Sequence, residues 1–193
     1  MATRTAPAER HRAQSDNLKR WLLFAVPLVA LAIAVAAGTV SDLDNRPAAD
    51  GSAAPDFVLP TTEGGEVALS DVLAQGPALT YFSMGVGCDG CFTQIPEIDE
   101  ALAERGIELV PIMVDPAEPL AHEAARLGVE RPILVDEDRT VSEAYGMLGQ
   151  FGHGDQPSHS FALVDADGAI EQVKHYAKMF VPRDELLDDL DLS

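Results

Sequence analysis

Cysteine is scarce in this chain, with two among 193 residues. Two cysteines leave room for one bridge at most and fall short of the four ligands of a structural zinc site. Cations are scarce as well: 13 Lys and Arg face 32 Asp and Glu, a formal charge of -19. They are also unevenly spread. Residues 1–20 hold five cations against two acids, a net +3, which leaves -22 for the remainder. A body that acidic is repelled by nucleic acid and by anionic lipid, and nucleic-acid binding is excluded. No internal repeat or long low-complexity tract is present, which removes repeat architectures.

Charge is absent from one long stretch. Trp21 to Val40 is apolar throughout, and twenty residues at about 1.5 Å each span about 30 Å, one hydrocarbon core. The basic segment precedes it and the acidic body follows. The positive-inside rule then predicts a cytoplasmic N-terminus at residues 1–20, a single transmembrane anchor at 21–40 and a body outside the membrane. Trp21 fits an interfacial anchor, and Pro27 is tolerated in a membrane helix. A cleaved secretory signal is the alternative, since Ala34-Val35-Ala36 offers a cleavage pattern, but the apolar run is longer than such signals use. No cysteine lies near its end, so a lipoprotein anchor is excluded. Residues 41–53, polar and rich in small residues, read as a flexible linker.

From Ala54 onward the pattern is that of a folded domain, 54–193. Gly64-Gly65 lies between short apolar pieces and suggests a hairpin. Ala78 to Ser83 reads as a buried strand, followed by a helical pattern at Ile95, Ile98 and Leu102. A second strand is expected at 107–115, a helix at 119–128, a short strand at 131–136 and a helix at 139–148. Two strands at 160–165 and 169–173 flank Asp167-Gly168, a hairpin signal. A helix at 182–192 closes the chain. Alternation of this kind predicts an α/β fold: a central mixed β-sheet flanked by helices on both faces, with the active site at the carboxyl ends of the strands.

Both cysteines fall there. Cys88 and Cys91 are separated by Asp89-Gly90, where the first strand turns into its helix. Unpaired amide groups and the helix dipole favour an anion at that point. Such a site lowers a cysteine pKa from about 8.5 into the range of roughly 3.5–7.5, and the thiolate is the nucleophile. The spacing suits a tight, reversible disulfide. An inert structural bridge is the competing reading, but so short a loop gains little stability from closure. Asp89 is a helix N-terminal acid whose charge beside the thiolate is expected to raise its pKa. Met84 and Met147 read as core packing, and His122 and His175 as surface positions.

Cys88-Asp89-Gly90-Cys91 with Pro96 five residues on resembles the active-site helix of the thioredoxin superfamily. The opening Ala-Pro-Asp-Phe-Val-Leu-Pro, the Gly-Gly turn, Leu134-Val135-Asp136 with Ala144-Tyr145-Gly146, and the Leu163 to Gly168 run are similar to redoxin segments. The chain therefore resembles the thioredoxin-like redoxins of the alkyl hydroperoxide reductase/thiol-specific antioxidant type over residues 54–183. The resemblance implies a thioredoxin-like domain with antioxidant or disulfide-exchange activity. It implies that Pro157 is a cis-proline, with Gln156, Pro157 and Gly87 lining a substrate groove, and that Pro96 kinks the helix near the site. It departs from the family at three places. Gly87 stands where thioredoxins carry Trp, Phe82 where they keep a buried acid, and Tyr81 and Gly85 where peroxiredoxins place their Pro and Thr.

The expected function is that of a membrane-anchored, extracytoplasmic thiol–disulfide oxidoreductase with Cys88 and Cys91 as its catalytic pair. Its partners would be protein thiols or disulfides and a membrane redox partner that resets the pair, with no cofactor and no metal. Two alternatives stay open: a peroxiredoxin-like peroxidase, and a copper-handling protein using Cys88, Cys91 and either His153 or His159. The plain reading of both histidines is that of solvated loop residues.

Overall fold

The computed structural model describes residues 48–193. The basic segment, the anchor and residues 41–47 of the linker lie outside the described residues. Among those described, no helix is long and apolar enough to cross a membrane.

Among the described residues the first elements are a hairpin of β1 (Val58–Pro60) and β2 (Glu66–Ala68). Gly64 and Gly65, at φ 88° and 81°, make its turn in a region that side chains disfavour. Helix α1 (Leu69–Leu73) leads to β3 (Ala78–Ser83), buried at every residue. Then come α2 (Asp89–Ala103), β4 (Glu108–Met113), α3 (Ala117–Leu127), the short β5 (Leu134–Val135) and α4 (Thr140–Ala144). A 3₁₀ turn at Gln150–Gly152 precedes β6 (His159–Val164), β7 (Ile170–Tyr176) and α5 (Arg183–Asp189).

The sheet runs β5-β4-β3-β6-β7. Strands β3, β4 and β5 are parallel, while β6 and β7 run antiparallel to their neighbours. Alternation along β3 sends Leu79 and Tyr81 to one face and Ala78 and Phe82 to the other, into two separate cores. The first core takes Ile95, Ile98 and Leu102 of α2, Leu120 of α3 and Leu186 of α5. The second takes Leu69 and Val72 of α1, Leu59 of β1 and the side chains of Tyr145 and Met147. The expected mixed sheet with helices on both faces is thus present.

Three expectations need correction. The helix read over 139–148 ends at Ala144. Gly146 at φ 70° turns the chain out of helical geometry, and Leu148 pairs with Pro157 as an antiparallel bridge. The helix read from Pro119 begins two residues earlier, at Ala117; Pro119 sits in the first turn, where its missing N–H is not needed. Finally, residues 48–53 are not free tether. Gly51 N–H donates to the Ile170 carbonyl at 2.7 Å, and Ile170 N–H to the Ser52 carbonyl at 2.8 Å. Val173 N–H adds a bond to Asp50 Oδ1 at 2.8 Å. β7 is an edge strand with unpaired backbone groups, and this segment covers them.

Candidate active site

The two cysteines meet as expected. Cys88 and Cys91 form a disulfide with Cα atoms 5.3 Å apart. Cys88 is the N-cap of α2, and its sulfur accepts the Cys91 N–H at 3.3 Å. An amide pointed at that sulfur, with the helix dipole behind it, is the environment that stabilises a thiolate once the bridge opens. Exposure separates the two residues. Cys88 is 6% exposed and Cys91 0%, so a visiting sulfur meets Cys88 first.

The loop before Cys88 is held from the side. Asp115, two residues past the end of β4, accepts the Val86 N–H on Oδ2 at 2.7 Å. Gly85 lies against the same carboxylate so closely that a Cβ there would collide with Oδ2. Gly85 and Gly87 both have positive φ, 93° and 90°, so the approach to Cys88 is built from backbone that favours glycine. Gly87 itself is exposed and has open space over it. Gly90 has none, because a Cβ there would lie 2.5 Å from the Met179 carbonyl oxygen. Residues 177–181, between β7 and α5, therefore form a strap over the first turn of α2. Pro96 lies on the exposed side inside α2 and leaves the Phe92 carbonyl without its helical N–H partner.

Beneath Cys91 is a buried polar chain that the sequence reading missed. The Tyr81 hydroxyl donates to the Cys91 carbonyl at 3.0 Å and lies 3.0 Å from Nδ1 and 3.2 Å from Nε2 of His159. His159 Nε2 is 3.1 Å from Gln94 Oε1, which also accepts the Val181 N–H of the strap at 2.7 Å. Tyr81, Gln94 and His159 are all fully buried. Because Gln94 presents an oxygen, the neutral ring carries its proton on Nε2 and leaves Nδ1 to accept from Tyr81. The single Tyr81 proton is thus shared between His159 and the Cys91 carbonyl. Burial pushes the His159 pKa down to about 3, and burial likewise raises the Tyr81 hydroxyl. Tyr81 is clamped in place by Phe161, stacked at 4.7 Å between ring centroids.

The histidines divide. His159, read as a solvated loop residue, is instead the first residue of β6 and fully buried. His153 stays in its loop, with Nδ1 3.2 Å from Met84 Sδ. His122 is exposed on α3, as expected, while His175 is half-buried and 2.8 Å from Ser160 Oγ. Met147 is buried and Met84 packs on the first core. Among the described residues, no group of three or more His, Cys, Asp or Glu is placed to hold a metal ion.

The cis-proline expectation does not hold. No described peptide bond is cis, so Gln156–Pro157 is trans. Pro157 is committed to a bridge with Leu148, Ser158 N–H donates to the Met147 carbonyl at 3.4 Å, and Gln156 N–H to the His153 carbonyl at 3.2 Å. The partners of this segment are therefore its own neighbouring loop. Pattern offered a partial signal for the missed residues: Tyr81 shares the face of Leu79, and Gln94 follows Cys91 by three residues on the inner side of α2.

A mixed sheet with a dithiol at the mouth of its first long helix defines a thioredoxin-like redox protein. The chain belongs to the AhpC/TSA family, whose model matches residues 51–173, and it is an oxidoreductase. It is 30% identical over 127 residues to the thiol-disulfide oxidoreductase ResA of Geobacillus thermodenitrificans, covering 64% of this chain and 67% of that one. It is 33% identical over 136 residues to Peroxiredoxin Bcp of Escherichia coli, covering 66% and 86%. In fold it is similar to peroxidoxin BcpB of Mycobacterium tuberculosis, with a TM-score of 0.59 at 24% identity over 75% of this chain and 96% of that one. It is also similar in fold to Enterococcus faecalis AhpC, with a TM-score of 0.64 at 17% identity over 75% and 91%.

Proposed function

We propose that this protein is a thiol–disulfide oxidoreductase, held outside the cytoplasm by the 21–40 anchor, that exchanges disulfides with protein thiols through Cys88 and Cys91. The observation that carries the reading is the unequal exposure of the two cysteines, 6% for Cys88 against 0% for Cys91. In the reducing direction, Cys88 thiolate attacks a substrate disulfide. One substrate sulfur bonds to Cys88 and the other leaves as a thiolate that takes a proton. Cys91 loses its proton and attacks Cys88. The second substrate thiolate departs, and the pair is left oxidised, having given up two electrons. Run backwards, the same steps oxidise a dithiol. A membrane redox partner resets the pair. The exposed backbone at Gly87 is the edge where an extended substrate would lie.

A second reading is supported by the likeness to Peroxiredoxin Bcp. Cys88 thiolate would attack a peroxide oxygen, an alcohol or water would leave, and Cys91 would condense with the sulfenic acid to give the disulfide and water. Against it, Tyr81 and Gly85 occupy the positions of the peroxidase Pro and Thr, and the Tyr81 hydroxyl is already engaged beneath Cys91.

One comparison separates the two readings. The reduced full chain is mixed in single turnover with a protein disulfide and, separately, with hydrogen peroxide. Faster oxidation by the disulfide, with mixed disulfides trapped by Cys91→Ser, supports exchange. Rapid peroxide consumption with no trapped adduct overturns it in favour of the peroxidase. A reporter active only outside the cytoplasm, fused after Ser193, tests the location.

A further inference from the structure

Four large apolar side chains stand exposed on the described residues: Val58, Val86, Phe151 and Phe180. Three of these lie on segments tied to the cysteine loop. Val86, 43% exposed, lies two residues before Cys88. Phe180, 37% exposed, follows Met179, whose carbonyl rests on Gly90. Phe151, 56% exposed, lies two residues before His153, which touches Met84 at the foot of the same loop. They come from three segments far apart in the chain, so the fold assembles them. Phe151 is also held at φ 53°, a region costly for a side-chain-bearing residue. Exposed apolar side chains on the loop before Cys88, on the strap over Gly90 and on the loop that touches Met84 mark a contact surface.

Charge says what that surface accepts. The described residues carry seven Lys and Arg against twenty-eight Asp and Glu. Five of the seven cations are already spoken for by acids: Arg126 by Asp89 and Glu123, Arg131 by Asp99 and Glu108, Arg139 by Asp155, Lys178 by Glu185 and Arg183 by Asp184. Beside Val86 opens a cleft of about 290 Å³ lined by Glu118, Pro119, His122 and Glu123. Glu123 shares its charge with Arg126, but Glu118 has no ion-pair partner among the described residues. The cleft thus offers an apolar wall and an unneutralised carboxylate next to the reactive loop.

We propose that this collar docks a cationic, apolar segment of a polypeptide that bears the reacting thiol or disulfide, with a Lys or Arg seated in the cleft of Val86 and Glu118. The inference rests on the thiol–disulfide reading above and names its substrate class. Residues Val86, Phe151 and Phe180 cover the apolar part of the segment. The negative field of the domain draws a cation in and repels acidic thiol carriers.

The test uses the reduced full chain in detergent and two disulfide-linked peptides of equal length with Leu and Phe flanks, one carrying Lys near its cysteine and the other Glu. Rates are followed in stopped flow, each divided by the rate of the same peptide with dithiothreitol to remove its intrinsic reactivity. The Lys peptide is expected to react at least about tenfold faster at low salt, with the ratio collapsing in about 1 M salt, where the screening length is about 3 Å. Glu118→Lys should lower the ratio by at least about threefold, and Phe180→Ser should slow both peptides together. Equal normalised rates, a ratio indifferent to salt, or one unchanged by Glu118→Lys overturns the proposal. A small neutral disulfide is run alongside. If it is reduced while the peptides show no preference, only the docking surface fails. If nothing is reduced, the exchange reading fails and the docking proposal falls with it.

Discussion

The two cysteines sit three residues apart in one turn of helix, yet their surroundings are opposites. On the outer side of Cys88 the groups are exposed, Gly87 and the charged Asp89–Arg126 pair at 2.5 Å, while its sulfur takes the buried amide of Cys91. Around Cys91 they are buried and neutral, tied by hydrogen bonds from β3 to α2, β6 and the strap. The lesson is a division of labour. The outer half can meet a partner because solvent tolerates its charges, while the inner half is held because moving Tyr81, His159 or the Gln94 carbonyl would strand the groups bonded to them.

The sharpest way to break the comparison is to remove each sulfur. Cys88→Ser should reduce exchange to background in single turnover, whereas Cys91→Ser should keep the first attack and accumulate the mixed disulfide, read on a non-reducing gel. Equal loss of adduct in both would erase the distinction between outer and inner thiol.

Next in size is the pH dependence of stability. His159 is pushed down to about 3 by burial, below its unfolded value of about 6.5. In that window the unfolded chain binds the extra proton, so stability is full above about pH 6.5 and falls as pH drops towards 3, by at most about 1.4 kcal/mol per pH unit. His175, also lowered by burial, acts in the same direction. Urea unfolding of His159→Phe beside the parent, at several pH values, isolates the His159 share: the variant should be less stable at neutral pH and show the shallower slope.

Gly90→Ala tests the strap. The added Cβ meets a backbone carbonyl at 2.5 Å, which cannot turn aside like a flexible side chain, so a loss of about 1–3 kcal/mol is expected in denaturant unfolding. Gly87→Ala meets no atom and costs only its left-handed backbone, about 1 kcal/mol.

The smallest effect concerns the outer charges. Asp89 alone would raise the Cys88 thiol, but Arg126 neutralises it. Asp89→Asn should therefore acidify the thiol only slightly, and Arg126→Gln should raise it, both followed by the pH dependence of alkylation. A pair this exposed is worth little to stability.

Much of the fold was legible because hydropathy reports it. The mostly apolar run of β3 and the Asp167-Gly168 turn between β6 and β7 both appear where expected. The inner half of the site was not legible. Pro157-Ser158-His159 looks like a loop because it is polar and opens on proline, yet Ser158, His159 and the Ser160 that follows are fully buried. Ser158 bonds Ser160 at 2.7 Å, Ser160 bonds His175, and His159 turns to Tyr81 and Gln94. Burial bought by mutual hydrogen bonding leaves no hydropathic trace. Residues 48–53 misled in the same way, since backbone pairing along β7 needs no apolar side chain.

The strap over the second of the two intervening residues has a consequence for anyone who would retune this enzyme. Randomising the dipeptide between the sulfurs should yield free variety at the first position and glycine almost alone at the second, because any side chain there must lift the Met179 backbone away. Within the dipeptide, adjustment by mutation is thus confined to Asp89, and the choice of residue at position 90 is fixed by a segment nearly ninety residues downstream.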